Sequence, residues 1–307
     1  MTPFPTPHQD KLKALLENDK LPESAKPRIM KTIEQYGEWI AKLEAAGGSP
    51  EERIKEMVGL LNKYRNNVDV DLIFDSDEDF LYRQKGQLKL DNSVIEEFLP
   101  RLVQPAIIPE LRGLSMSIGP ATAFLSVFFA SSLSVSASGG GLNIRSKDQD
   151  FAISKHLYIR TSHSPQLERD KSETHETNLA YVVAECKTNL DKTMFQEACA
   201  TARDTKLAAP GARYYLLCEW LDMTPVSTAT TDIDEVIILR KAKRLNSNIR
   251  QHYSNSASRR QKRNEYCGFL KDHPFTPDVF IRFIGHITSL LADKAPEEKD
   301  VLQLGYF

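Results

Sequence analysis

The chain has 307 residues, enough for one large domain or two smaller ones with a substantial hydrophobic core. Its 40 Lys and Arg residues and 42 Asp and Glu residues give a formal net charge of −2, so any nucleic-acid partner must be held by local basic patches. Four scattered cysteines without a CxxC pair exclude a disulfide scaffold, argue against a zinc site and fit a reducing cytoplasm.

The sequence predicts neither a secretory signal nor a membrane span. The N-terminus, MTPFPTPHQD, lacks a charged region followed by an apolar one. Five serines interrupt the most apolar stretch, residues 121–137. This stretch therefore falls short of the roughly 18–20 apolar residues that cross a bilayer. We expect a cytoplasmic protein with no membrane partner.

Residues 1–66 show the periodicity that is typical of α-helices. Ile29, Ile33 and Tyr36 begin an apolar series that recurs every three or four positions, and Ser49 with Glu52 forms a capping box that opens a second helix. We predict an N-terminal helical arm over residues 1–66, with a role as a scaffold or an oligomer contact.

The next segment predicts a short strand, a basic ribbon and a helix. Residues 68–74 alternate like a strand, and a ribbon over residues 80–89 presents Arg83, Lys85 and Lys89, which are suited to contact DNA phosphates or base edges. A capping box of Ser93 and Glu96 then predicts the start of a helix.

From Gly139 onward the pattern is typical of an α/β sheet. Apolar runs predict strands at 142–145, 151–160, 179–184, 212–218 and 235–239, with a long polar loop at 161–178. A helix that begins near Thr193 separates two of these strands, and such a strand–helix–strand order is a crossover between parallel strands. A last helix, residues 277–291, is expected to close the core.

Charged residues close the buried strand 179–184. Alternation places Glu185 and Lys187 on one face and Cys186 on the other. Charges at this position need partners, and either a buried ion pair or a catalytic site with an upstream acid supplies them. Asp148 and Asp150 are both candidates for that acid, and Asp150 is preferred because it directly precedes the apolar run 151–153.

These residues favour a metal-dependent hydrolytic site. Asp150, Glu185 and the carbonyl of Cys186 offer the hard oxygen ligands that Mg²⁺ prefers. A bound Mg²⁺ lowers the pKa of a water molecule and stabilises phosphoryl oxygens during phosphodiester hydrolysis. Lys187 would orient or help to deprotonate that water and offset the growing negative charge.

The constellation resembles the PD-(D/E)XK nuclease fold, whose counterparts here are Asp150, Glu185, Lys187, the helix of Gln196 and the strand of Tyr214 and Tyr215. Gln149 stands where that motif has its proline. More closely, residues 71–75, 80–91, 148–154 and 182–219 resemble the two-subunit, BbvCI-like family of type II restriction endonucleases, which cut asymmetric sites of the CCTNAGC kind. The resemblance covers residues 66–285 and is most specific over 185–220.

The resemblance implies an α/β fold with a PD-(D/E)XK restriction-endonuclease-like core, a mixed sheet flanked by helices, in residues 67–307. It implies Mg²⁺-dependent cleavage of double-stranded DNA by a heterodimer with a related second subunit or by two copies of this chain. Gln196 then joins the catalytic residues, although a capping box with Thr193 explains this glutamine equally well. In some relatives the preceding helix adds a carboxylate to the metal site, and Glu96 or Glu97 is the candidate for that role here. The favoured interpretation of both is a charged helix surface.

A second basic segment, residues 240–263, holds nine Lys or Arg and no acidic residue. Interleaved Asn and Gln suit contact with a duplex, whereas a solvated loop is the alternative. The predicted DNA-binding residues are Arg83, Lys85, Lys89, Lys241, Lys243, Arg244, Arg250, Arg259, Arg260, Lys262 and Arg263. If six of the nine basic residues in 240–263 neutralise phosphates, log K falls with log[salt] at a slope of about −5.

The sequence therefore predicts a type II restriction endonuclease subunit. Two alternatives stay open: a repair or mobile-element nuclease of the same fold, which would give a ladder of fragments, and a DNA-binding or assembly protein without chemistry. No GxGxxG, P-loop, GxSxG or HExxH motif supports chemistry on small molecules.

Overall fold

The computed structural model describes residues 4–134, 137–292 and 297–305. Its strands are β1 (Ser117–Phe129), β2 (Leu142–Ser162), β3 (Ser172–Leu190), β4 (Arg213–Leu221) and β5 (Glu235–Lys243). Its helices are α1 (Pro7–Leu16), α2 (Lys26–Ala45), α3 (Pro50–Asn66), α4 (Asp79–Gln84), α5 (Asn92–Leu102), α6 (Lys192–Ala208), α7 (Ser247–Arg250), α8 (Ser256–Asp272), α9 (Pro277–Ala292) and α10 (Glu298–Leu304).

The strands form one mixed sheet in the order β1-β2-β3-β4-β5. β2 pairs antiparallel with β1 and β3, whereas β4 pairs parallel with β3 and β5. α6 lies between β3 and β4 in the chain, because parallel neighbours need a crossover connection. The predicted α/β fold and its crossover are confirmed.

Helices pack on both faces of the sheet. On one face, residues of α1, α2, α3, α5 and α9 share a continuous hydrophobic core with Phe151 and Leu217. In a second core, Phe195 of α6 joins Val183 and Leu216. The helical arm is thus built into the same core as the sheet. None of the helices in the described ranges is long and apolar enough to span a membrane.

A buried cluster of charges connects α3 to the sheet. Arg65 donates to Asp69 at 3.1 Å and also pairs with Glu219 of β4. Arg240 of β5 lies 3.4 Å from Asp69 and 3.3 Å from Glu219. Helical spacing of four residues is what lets Arg65 and Asp69 meet. The predicted strand at 68–74 is therefore wrong: residues Asn67–Phe74 form a π-helical continuation of α3.

Other local predictions also need correction. The expected ribbon at 80–89 is wrong, because α4 occupies its first half and turns follow. The predicted capping box of Ser49 and Glu52 is confirmed. The boxes predicted at Ser93 and Thr193 are wrong, because an aspartate caps each of those helices: Asp91 accepts from the N–H of Asn92, and Asp191 accepts from that of Met194. An ionised side chain is a strong acceptor at this position.

β2 is one strand of 21 residues rather than two short ones. Pairing with β1 on one side and β3 on the other keeps its polar middle in the backbone ladder, as at Asp148, which lies opposite Thr122. β3 begins at Ser172, so the polar loop before it is shorter than predicted.

Candidate active site

A cleft of about 1120 Å³ opens beside the end of β3. Its walls come from β2, β3, the turn after α4, the first turns of α6 and the segment that follows β5. Asp150, Glu185 and Lys187 all line this cleft. The structure thus brings together the three residues on which the predicted hydrolytic site depends.

Strand register explains why the two acids meet. Phe151 lies opposite Ala184 in the antiparallel β2–β3 pair, so the next positions toward the cleft are Asp150 and Glu185. Residues opposite each other in such a pair project from the same face. Asp150 Oδ2 also accepts a hydrogen bond from the backbone N–H of Cys186 at 2.9 Å. The Cys186 side chain is buried in the hydrophobic core, as alternation predicts.

Glu185 is held by two side-chain donors. Lys187 Nζ lies 2.7 Å from Glu185 Oε1, and the Tyr214 hydroxyl donates to Oε2. Burial opposes ionisation of Glu185, but these hydrogen bonds outweigh it and lower its pKa. Burial likewise opposes the charge on Lys187, and the Glu185 carboxylate outweighs it and raises the pKa of Lys187. The pair is therefore a carboxylate and an ammonium at neutral pH.

A second group of charges lies beside Asp150. Lys89 Nζ is 3.1 Å from Asp150 Oδ1 and 3.4 Å from Glu96 Oε1. Asn92 Nδ2 donates to Glu96 Oε1 at 2.9 Å and to the carbonyl of Cys186 at 3.1 Å. Burial, and then the nearby Asp150 carboxylate, raise the pKa of Glu96. The favoured interpretation of Glu96 as a surface charge is wrong, because its side chain is only 7% exposed and contacts this site.

The other candidate acids differ in their contacts, although Asp148 lines the same cleft. Asp148 is exposed and accepts from the Thr122 hydroxyl at 2.6 Å, whereas Asp150 contacts the backbone of β3. Glu97 is buried on the far side of α5, where it accepts from the Tyr36 hydroxyl and the backbone N–H of His8. Of the acids that the sequence left open, Asp150 and Glu96 are the two beside Cys186.

Gln196 is an exposed residue of α6 and is not among the residues that line the cleft. Its neighbour Glu197 does line the cleft and contributes to the raised pKa of Lys187. The helix begins at Asp191 rather than at Thr193, so the capping explanation of Gln196 also fails. The structure places Glu197, not Gln196, beside the predicted catalytic lysine.

Basic residues from two distant segments face this same cleft. Five of the eleven predicted DNA-binding residues line it, namely Arg83, Lys85, Lys89, Arg244 and Arg250. Aromatic side chains accompany them, among them Tyr82, Trp220 and Tyr253. Cations with interleaved aromatic rings are the groups that contact phosphates and bases. The predicted ribbon was wrong in secondary structure, but its basic side chains do reach the site.

The remaining predicted basic residues lie outside the cleft. Arg259 is 1% exposed, and its guanidinium donates to the carbonyls of Phe74 at 2.8 Å and Ser76 at 2.9 Å. It therefore holds the segment after α3 in place and is not available to DNA in this structure, which corrects its prediction. The others are at the surface: Lys243, Lys241 paired with Asp278, Arg260 with Asp77, Lys262 with Glu265 and Arg263 with Asp75.

Sequence reasoning missed two side chains that support Glu185. Tyr214 lies opposite Val183 in the parallel β3–β4 pair, two residues before Glu185, a relation that only the register reveals. Lys147 lines the cleft, donates to the Thr201 hydroxyl of α6 and helps to lower the pKa of Glu185. The strand alternation carried no signal for a lysine three residues before Asp150.

Comparison with known proteins gives a consistent result. The family model of the Bpu10I restriction endonuclease matches residues 87–307, a range that includes Lys89, Asp150, Glu185 and Lys187. Among solved structures, the native BbvCI A2B2 tetramer at low resolution is similar, with a TM-score of 0.60 and 20% identity over 81% of this chain and 88% of that chain. No curated protein matches the sequence significantly.

Proposed function

The chain belongs to the Bpu10I restriction endonuclease family, and we propose on this premise that it is a subunit of a type II enzyme that hydrolyses double-stranded DNA at a specific sequence. The observation that carries the proposal is the meeting of Asp150, Glu185 and Lys187 in one cleft with basic residues from two distant segments. A strand-end pair of acids with a lysine suits hydrolysis, and the basic rim suits a phosphate backbone.

The oxygen atoms of the cleft fit a hard divalent cation. A protein cation, the ammonium of Lys89, already lies between the carboxylates of Asp150 and Glu96. Asn92 Oδ1 is buried beside them without a hydrogen-bond partner among the described residues. Carboxylate, amide and carbonyl oxygens are the ligands that Mg²⁺ takes, usually with water in the remaining positions.

We expect Asp150, Glu185 and the carbonyl of Cys186 to hold Mg²⁺, with Glu96 as a further acid. No three His, Cys, Asp or Glu side chains within the described ranges form a ready cage, and water with backbone oxygen would have to fill the other positions around a bound ion. When bound, the metal would supply a water of lowered pKa and positive charge for the phosphoryl oxygens.

The chain's own residues orient and balance these charges. Tyr214 and Lys187 each hold one oxygen of Glu185, which fixes the direction of its carboxylate. The ammonium of Lys187, kept charged by Glu185, is placed to offset negative charge on a phosphate in the cleft. The N–H of Cys186 fixes Asp150 in the same way.

The proposed complex contains more than one subunit. BbvCI is recorded as an A2B2 tetramer, and one cleft in this chain accounts for cleavage of one strand. We therefore propose a related second subunit, or a second copy of this chain, that cuts the other strand. The five basic residues of the cleft predict a salt dependence of log K with a slope of about −4 to −5.

Digestion of a mapped plasmid with Mg²⁺ tests the proposal. We expect discrete bands when the chain is combined with a related subunit, or with itself, and no cleavage in EDTA. A ladder of fragments would indicate a nuclease without sequence choice. DNA binding without cleavage by any combination of subunits would contradict the hydrolytic function.

A further inference from the structure

Lys89 occupies an unusual place for a DNA-contacting lysine. Its ammonium lies 3.1 Å from Asp150 Oδ1 and 3.4 Å from Glu96 Oε1, on the side of the cleft where the acids gather. Lys85, in the same turn, instead lies over the ring of Tyr82 at 4.8 Å. Two lysines of one short segment thus have different neighbours, and Lys89 is the one bound to acids.

The backbone holds Lys89 in this position. Its φ is +50°, a left-handed conformation that a side chain other than glycine adopts only at a cost. The turn is fixed on both sides, because the N–H of Leu90 donates to the carbonyl of Lys85 at 3.1 Å and that of Ser93 to the carbonyl of Lys89 at 3.1 Å. The lysine side chain itself is 47% exposed and lines the cleft.

The atoms around the ammonium are those of a cation site. Two carboxylates face it, the unpartnered Asn92 Oδ1 is buried close by, and Asn92 Nδ2 links Glu96 to the carbonyl of Cys186. One positive charge lies against two negative ones, so the local charge is incompletely balanced. A divalent ion would balance it fully.

We propose that Lys89 holds, in the DNA-free protein, the cation position between Asp150 and Glu96, and that a divalent metal binds there only when this ammonium leaves for a DNA phosphate. The inference rests on the proposed function and deepens it. The two cations exclude each other, so DNA that draws Lys89 away raises metal affinity. By linkage, metal raises DNA affinity by the same factor.

Metal binding to the DNA-free chain tests this directly. In titration calorimetry with Mg²⁺ at pH 8, we expect Lys89→Met to bind at least about tenfold tighter than the unsubstituted chain. Lys85→Met, from the same turn, and Lys89→Arg, which keeps the charge, serve as matched controls and should bind as the unsubstituted chain does. Adding Glu96→Gln to Lys89→Met should remove the gain, which places the effect at this pair of acids.

Equal Mg²⁺ affinity of Lys89→Met and the unsubstituted chain would overturn the inference. A plasmid digestion run beside it separates the two proposals. Plasmid cleavage without tighter Mg²⁺ binding by Lys89→Met would support the nuclease function and contradict competition by Lys89. Tighter Mg²⁺ binding by Lys89→Met without plasmid cleavage would support the competition and contradict the nuclease function. Binding of Mg²⁺ by neither protein contradicts both the competition and the metal requirement.

Discussion

Two groups of ionisable side chains lie against the same sheet and differ in how their charges are matched. In the buried cluster, each of Arg65 and Arg240 contacts both Asp69 and Glu219, and none of the four side chains is more than 9% exposed. In the cleft, the lysines that contact the acids are open to solvent, with Lys187 at 26% exposure.

The difference separates a structural cluster from a functional one. Charges buried in closed pairs have no surface left for a substrate, and loss of one partner leaves the others uncompensated. Charges at a cleft keep one side free, so they can exchange protein partners for a metal or a phosphate. Both groups contain buried carboxylates, but the buried cluster pairs them with buried arginines, whereas the cleft pairs them with lysines that stay open to solvent.

The largest effect is expected in the buried cluster. Glu219→Ala removes an anion from two buried arginines and should lower the free energy of unfolding by about 3–5 kcal/mol. Glu235→Ala, which removes the carboxylate that pairs at the surface with Arg282 and His286, should change the free energy of unfolding far less. Urea denaturation measures both, and an equal loss of stability in the two variants would show that burial of the cluster does not make its charges more important to folding.

Tyr214→Phe breaks the support of Glu185 and should act mainly on cleavage. A hydrogen bond to a charged group contributes about 1.5–3 kcal/mol, so we expect cleavage to slow by about ten- to one-hundred-fold. Tyr215→Phe, the next residue on β4, faces the opposite core and is the control. Single-turnover cleavage rates measure the effect, and equal rates for the two variants would contradict a positioning role for Tyr214.

A fall in pH should destabilise the folded chain through the buried His8. Burial, and then Arg65, lower the pKa of His8 to about 3, so between pH 6.5 and pH 3 the unfolded chain binds a proton at this residue and the folded chain does not. Stability therefore falls as pH falls across this window, by up to about 1.4 kcal/mol per pH unit.

His8→Gln should remove that slope, which chemical denaturation at pH 7 and pH 5.5 measures. Glu185 has a lowered pKa, so its contribution is present above its unfolded pKa and is lost only as pH falls through the folded value. A pH slope that is unchanged in His8→Gln would place the acid sensitivity elsewhere.

The smallest effect concerns the basic rim. Arg250 lines the cleft, whereas Lys241 lies outside it in a pair with Asp278. Arg250→Ala should reduce the salt slope of DNA binding by about 1, and Lys241→Ala should leave the slope unchanged. Fluorescence anisotropy at several salt concentrations measures both slopes. A slope reduced in Lys241→Ala but not in Arg250→Ala would indicate that DNA binds outside the cleft.

The strand-based part of the site could be predicted from the sequence because it depends on local rules. Alternation along a strand places Glu185 and Lys187 on one face, and the acid before the preceding strand falls opposite by antiparallel pairing. The basic side chains at 83–89 were found by composition even though their secondary structure was wrong.

The rest of the site depends on contacts between distant elements. Glu96 looked like a surface charge because its helix face is set by packing of α5 against the sheet, and Tyr214 required the register of β4. Arg259 looked like part of a basic surface, yet carbonyls 183 and 185 residues away along the chain hold it in the interior. Sequence periodicity contains no record of such pairings.

The proposed function requires Asp150, Glu185 and Lys187 to act together in the hydrolysis of one DNA strand. The most direct test combines Glu185→Gln with the unmodified partner subunit and follows supercoiled plasmid in Mg²⁺ over time. We expect nicked circles to accumulate, linear product to be absent and DNA affinity to be unchanged. Linear product at the rate of the unsubstituted complex would contradict it.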